Sequence, residues 1–156
     1  MIYVIGSLRN PQIPVIGRQL REAGHEVVDD WYAAGEIADD SLWAYEQARG
    51  HTMREALQGL AAQHIFAFDK RHIDRSDVGV LVLPAGKSGH LELGYMLGQG
   101  KQGYVLVDKD PERIDVMYQF ATGICYSVEE LISQLGRANG VTRGSRVGRI
   151  YDWRNT

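Results

Sequence analysis

Two carboxylates in unlike settings are the residues whose placement suggests chemistry. Asp69 closes the stretch Ile65-Phe66-Ala67-Phe68, eight residues before Asp77 and the clearest strand pattern of the chain. Glu92 falls in the first turns of a helical pattern after that strand, inside the small and apolar run Leu91-Glu92-Leu93-Gly94-Tyr95. A helix N-terminus favours the ionised form of an acid. Partial burial beside Phe66 and Phe68 favours the protonated form of Asp69 by raising its pKa. Acids in such different surroundings can take different roles. Each residue also has a plain structural reading: Glu92 as a surface-facing helical carboxylate, Asp69 as a cap or turn former, and Asp77 as a backbone-bonding residue ahead of a buried strand.

The segment Gly86-Lys87-Ser88-Gly89 lies between a strand and a helix, where free N–H groups and the positive helix end attract anions. It lacks the spacing of a Walker loop, and no GxGxxG follows the first strand, so it also reads as a simple strand-to-helix turn. His51, His64, His72 and His90 show no partner pattern that would make them catalytic, and surface or packing roles fit them better. The lone Cys125 cannot close an intrachain disulfide, and no Cys/His cluster has zinc spacing. The expectation is a fold with no metal and no cofactor, in a reducing compartment, the cytoplasm.

The elements that must position these residues alternate. Met1-Ile2-Tyr3-Val4-Ile5-Gly6 reads as a buried parallel strand, and Ser7-Leu8-Arg9-Asn10-Pro11 as a turn into a helix over 12–23, stopped by Gly24. A second strand is expected at 25–28, a loop over 29–40, and a helical region over 41–68 with Gly50 and Gly59 as points of division. A strand at 78–83, a helix over 89–97 and a strand at 103–107 form a βαβ unit. A short helix at 112–118, a strand around Ile124 and a helix over 128–137 complete the body. Such alternation predicts an α/β protein with a parallel sheet of about five strands covered on both faces. Ligands of such sheets bind outside the carboxyl ends of the strands, which points to residues 7–10 and 84–92. Trp31, Tyr32, Trp43 and Tyr45 lie in the least regular segment, either as core or as a lid that stacks on a base.

A chain of 156 residues with 44% hydrophobic and 24% charged residues is expected to bury one core, in a domain spanning 1–137 followed by a Gly/Arg-rich tail at 138–156. The net charge of −3 is unevenly spread: residues 1–136 hold 12 Lys/Arg against 19 Asp/Glu, whereas residues 137–156 hold 5 Arg against Asp152. A net-acidic body argues against a broad nucleic-acid-binding face and for a small-molecule partner. There is no apolar run near 18 residues and no signal-peptide core, so no membrane association is expected.

Three pieces combine into a resemblance. Tyr3 within Ile2-Tyr3-Val4-Ile5-Gly6, Asp69 eight residues before Asp77, and Glu92 within Gly89-His90-Leu91-Glu92-Leu93-Gly94-Tyr95 together resemble the nucleoside 2-deoxyribosyltransferase family, over roughly residues 1–135. The resemblance implies a flavodoxin-like (Rossmann-like) three-layer fold and cleavage of the N-glycosidic bond between a sugar and a nucleobase. It implies that Glu92 is the nucleophile that captures the anomeric carbon, that Tyr3 holds and orients that carboxylate, and that Asp69 binds the base and passes it a proton. Loss of a nucleobase leaves an oxocarbenium-like centre, which a carboxylate both stabilises and captures, as in retaining glycosidases.

Some members of the wider group hydrolyse nucleoside 5′-monophosphates. The turn Gly6-Ser7-Leu8-Arg9 is similar to their phosphate-handling turn, with Ser7 and its neighbouring N–H groups as donors and Arg9 as counter-charge; Ser7 as a helix cap is the plain alternative. Gly86 stands where the family carries a sugar- or phosphate-contacting polar residue, with Ser88 and Gly89 close by. Asp115 stands where the transferases carry Asn and the phosphate hydrolases Ser; a carboxylate there repels a phosphate but can accept a bond from a 5′-hydroxyl. In the family that position reaches a neighbouring subunit's site, which implies a homodimer or higher homo-oligomer. The expected partner is a nucleoside or nucleotide, with the sugar passed to a base or to water. The competing reading is a non-catalytic nucleotide-binding sensor on the same fold. A third makes the tail an arm for nucleic acid or an acidic partner, or a carrier of Arg143 or Arg146 to a phosphate.

Overall fold

The computed structural model describes residues 1–140, so the tail from residue 141, with Arg143 and Arg146, lies outside the described residues. Five short apolar segments form one parallel sheet: β1 (Ile2–Ile5), β2 (Val27–Val28), β3 (Val78–Val82), β4 (Gln102–Leu106) and β5 (Gly123–Cys125), in the order β2-β1-β3-β4-β5. All four pairings are parallel, with Tyr3 opposite Gly79 between β1 and β3. Helices cover both faces, and this order is that of a flavodoxin-like three-layer fold.

Alternation along β1 assigns side chains to the two faces. Ile2 and Val4 enter one core with Ile13, Ile16 and Leu20 of α1 (Gln12–Glu22) and Leu131 and Leu135 of α6 (Val128–Gly140). Tyr3 and Ile5 enter the other with Ile73 of α4 (Leu60–Arg75) and Leu93 and Met96 of α5 (Lys87–Gly98). Helix α5 lies close on the sheet because glycines lie beneath it. A Cβ on Gly79 would stand 2.7 Å from Met96 Sδ, and one on Gly103 2.7 Å from Leu93 Cδ1.

The helical region expected over 41–68 is three helices with other bounds: α2 (Ala38–Ala48), α3 (Met53–Leu57) and α4. Gly50 divides the first two at φ +77°, a conformation that suits a residue without Cβ, and Thr52 and Glu55 close a capping box on α3. The expected loop over 29–40 instead holds a 3-10 turn, Asp30–Ala34, and the start of α2, whose first turn carries Asp39 and Asp40, where acids favour a helix. No Gly or Pro interrupts 60–75, so α4 continues past Phe68 and Asp69 sits in mid-helix, not at a cap. The short helix expected at 112–118 is a 3-10 turn at Val116–Phe120, started by Asp115 Oδ1, which accepts the Met117 N–H at 2.9 Å. Helix α6 runs to Gly140, three residues beyond the expected domain boundary at 137. No helix among the described residues is long and apolar enough to cross a membrane.

Candidate active site

Three elements bring Tyr3, Asp69 and Glu92 to one place. Tyr3 points from β1 under α4 and α5 and is 1% exposed. Asp69 lies one turn before the buried Ile73 and so shares the inward face of α4. Glu92 lies three residues after the buried Gly89 and one before the buried Leu93, at the edge of the inward stripe of α5. Gly89 belongs to the packing: a Cβ there would stand 3.0 Å from Leu81 Cδ1 and 3.1 Å from Ile5 Cγ2.

The Tyr3 hydroxyl donates to Asp69 Oδ1 at 3.4 Å, so the hydrogen bond expected toward Glu92 goes to the other carboxylate. Burial first, then the negative charges of Glu92 and Asp69, hold the phenol protonated far above its ordinary range. Glu92 is pushed up to about 7 by burial, reinforced by Asp69 and Asp39. Asp69 is also raised, chiefly by burial and further by Asp39, while the Tyr3 hydrogen bond and His72 pull it down. Of the aromatic neighbours expected beside Asp69, Phe66 is well exposed, and Phe68 packs against His72 with ring centroids 4.4 Å apart. Two neighbouring half-buried acids resist ionising together, and the Asp69 charge that helps to raise Glu92 leaves the last proton of the pair on Glu92. Attack by Glu92 with donation by Asp69 therefore requires that proton to pass to Asp69.

Asp39 escapes detection in the sequence because its segment shows no helical period. The available signal is the acidic pair Asp39-Asp40 ahead of a helical run. Next to Asp39, Asp40 Oδ2 accepts from Arg9 Nη2, which ties α2 to the turn after β1. Arg9, Ser7 and Gly86 come together at the carboxyl ends of β1 and β3, lining with Asn10, Pro11, Pro84 and Ala85 a pocket of about 360 Å³. Gly6 precedes it, and a Cβ there would stand 2.4 Å from Ile13 Cδ1, so the turn must lie tight against α1. Ser7 Oγ accepts the Arg9 N–H at 3.2 Å, whereas the cap role expected of Ser7 falls to buried Asn10, whose Oδ1 accepts the Gln12 N–H at 3.0 Å. Ser88 is exposed in the first turn of α5, outside that lining.

Asp115 is not brought to these residues within one chain. It opens onto a different cavity of about 660 Å³, lined among others by Leu93, Leu97, Met117, Tyr118 and Phe120. His90 faces that side too, donating from Nδ1 to Gly86 O at 2.7 Å and accepting the Tyr118 hydroxyl on Nε2 at 2.8 Å. His51 pairs through Nδ1 with Glu46 Oε2 at 2.5 Å, where Glu46 is 2% exposed, and His64 is exposed. Among the aromatics, Trp31 is structural: its Nε1 donates to Val4 O at 2.8 Å and its ring packs on both cores. Trp43 and Tyr45 are exposed on α2. No three His, Cys, Asp or Glu side chains among the described residues converge to hold a metal ion.

Fold and site together define a flavodoxin-like α/β protein with a buried phenol and two carboxylates of raised pKa where β1 meets α4 and α5. A scan against protein-family models and a search of curated proteins both found no match to this chain.

Proposed function

We propose that this chain resembles nucleoside 2-deoxyribosyltransferases in activity and cleaves the N-glycosidic bond of a nucleoside or nucleoside 5′-monophosphate. The observation that carries the reading is the meeting of Tyr3, Asp69 and Glu92, two carboxylates with raised pKa around one protonated phenol. Ionised Glu92 forms a bond to the anomeric carbon as the C–N bond breaks. The electron pair leaves with the base, and protonated Asp69 supplies the proton the base requires. Water or a second base then attacks the same carbon, Glu92 leaves as carboxylate, and Asp69 takes the proton back. Tyr3 acts as a fixed donor, aligned on Asp69 and close enough to Glu92 to feel its charge.

We place the enzyme in the cytoplasm from its lone cysteine, and as a homo-oligomer from the apolar surface beside the site. Phe66, three residues before Asp69, is 67% exposed, and Leu91, next to Glu92, is 75% exposed. In such an assembly a second copy supplies Asp115 to the site.

The test is incubation with a panel of nucleosides and 5′-monophosphates, with and without free bases, and chromatography of released and exchanged bases. Wild type releases or exchanges a base, and Glu92→Ala loses about 10³-fold or more of that rate. Undiminished release by Glu92→Ala overturns the assignment. Tight nucleotide binding with no base released over hours makes the chain a sensor instead.

A further inference from the structure

The pocket at the carboxyl ends of β1 and β3 has the position of an anion site, but its lining cation is already paired. Among the described residues Arg9 is the only charged side chain lining it, and its guanidinium is engaged by Asp40 of α2. Some of the turn's backbone donors are also used: Arg9 N–H by Ser7 Oγ, Asn10 N–H by Ser7 O at 2.9 Å, Gln12 N–H by Asn10 Oδ1 and Ile13 N–H by Asn10 O at 3.2 Å. Pro11 has no N–H to offer. Lys87 heads α5 but lies outside the lining. Opposite stands the first turn of α2, which adds Asp39 next to Asp40, and Asp39 is close enough to raise both Glu92 and Asp69. Asp40 alone of these carboxylates contacts Arg9, while its neighbour Asp39 acts on Asp69 and Glu92, with His72 beside Asp69.

We propose that Asp40 is a specificity-determining residue whose carboxylate occupies Arg9 and fits the pocket to an uncharged 5′-hydroxyl, so that the substrate is a nucleoside and not a nucleoside 5′-monophosphate. The inference rests on the reading that Glu92 and Asp69 act on a glycosidic bond, with the 5′ side of the sugar toward Arg9, whose partner Asp40 adjoins the Asp39 that raises both acids. The Arg9–Asp40 pair is exposed on both sides, so its own bond is weak. Selection comes from repulsion: a phosphate dianion that takes Arg9 displaces Asp40 yet still lies beside it and Asp39. A hydroxyl carries no such charge and can bond to either partner.

The experiment compares kcat/KM for base release from matched nucleoside and 5′-monophosphate pairs in wild type, Asp40→Asn, Asp40→Glu and the double variant Arg9→Met with Asp40→Asn. Wild type favours the nucleoside. Asp40→Asn raises the monophosphate-to-nucleoside ratio about tenfold or more. Asp40→Glu restores the wild-type ratio, and Arg9→Met abolishes the gain. A wild type that prefers the monophosphate, or a ratio that Asp40→Asn leaves unchanged or lowers, overturns the proposal. If no variant releases a base from any substrate, the glycosidic reading fails. Calorimetric titration with the same ligand pair then decides on Asp40: selective tightening of the monophosphate in Asp40→Asn supports its role, and equal affinities in both proteins end it.

Discussion

The Tyr3 hydroxyl bonds to Asp69 across 3.4 Å and 66 positions of sequence, joining the first strand to the fourth helix beneath α5. That bond makes a buried phenol the reference point for both carboxylates of the site. It also sets the sign of several measurable effects.

Tyr3→Phe removes the donor and keeps the ring. Because the hydrogen bond lowers the Asp69 pKa, its loss raises that pKa further. If protonated Asp69 is the acid, the limb of the kcat/KM profile that Asp69 sets moves to higher pH while the rate at the optimum falls about 10- to 100-fold. The pH–rate profile of the variant against wild type checks both.

Asp39→Asn removes a negative charge that raises both Glu92 and Asp69. Both pKa values then fall, and both limbs of the profile move to lower pH. Profiles at low and high salt separate this from structural damage, since the shift shrinks as salt screens the charge.

Glu92 costs stability where it is ionised. Its folded pKa of about 7 lies above its ordinary value of 4.5, so its stabilising contribution is complete below pH 4.5 and lost as pH rises through 7. Glu92→Gln carries no such charge. Relative to wild type it gains stability between pH 5 and pH 8, by on the order of 3 kcal/mol at most. Urea midpoints at the two pH values measure the difference, and equal differences at both exclude the burial of an ionisable Glu92.

Gly103→Ala places a Cβ 2.7 Å from Leu93 Cδ1 and 2.8 Å from Leu97 Cδ2, forcing α5 away from the sheet. Overpacking of this kind costs about 1–3 kcal/mol, read as a lower urea midpoint. Glu92 moves with its helix, so activity falls more than stability alone accounts for.

Much of this organisation is legible in the linear chain. The apolar run Val78-Gly79-Val80-Leu81-Val82 has no reading but a buried strand, and the glycine-bounded helices around it impose a parallel α/β layout. The helical region expected over 41–68 divides at Gly50 and Gly59 as its glycines suggest, but its end is misplaced because residues 69–75 continue a helix without any stop signal. Asp39 and Asp40 are hidden because a first helical turn carries too few residues to display a period.

The sequence by itself determined the layers and the parallel sense of the sheet, since periodicity and local stop signals act over a few residues. Only the tertiary structure decided that the Tyr3 hydroxyl meets Asp69, that Asp40 neutralises Arg9 and that Asp115 opens onto another cavity. Those relationships join residues 31 to 66 positions apart or separate elements of the sheet, and they depend on where helices cross strands, a geometry that no local pattern encodes.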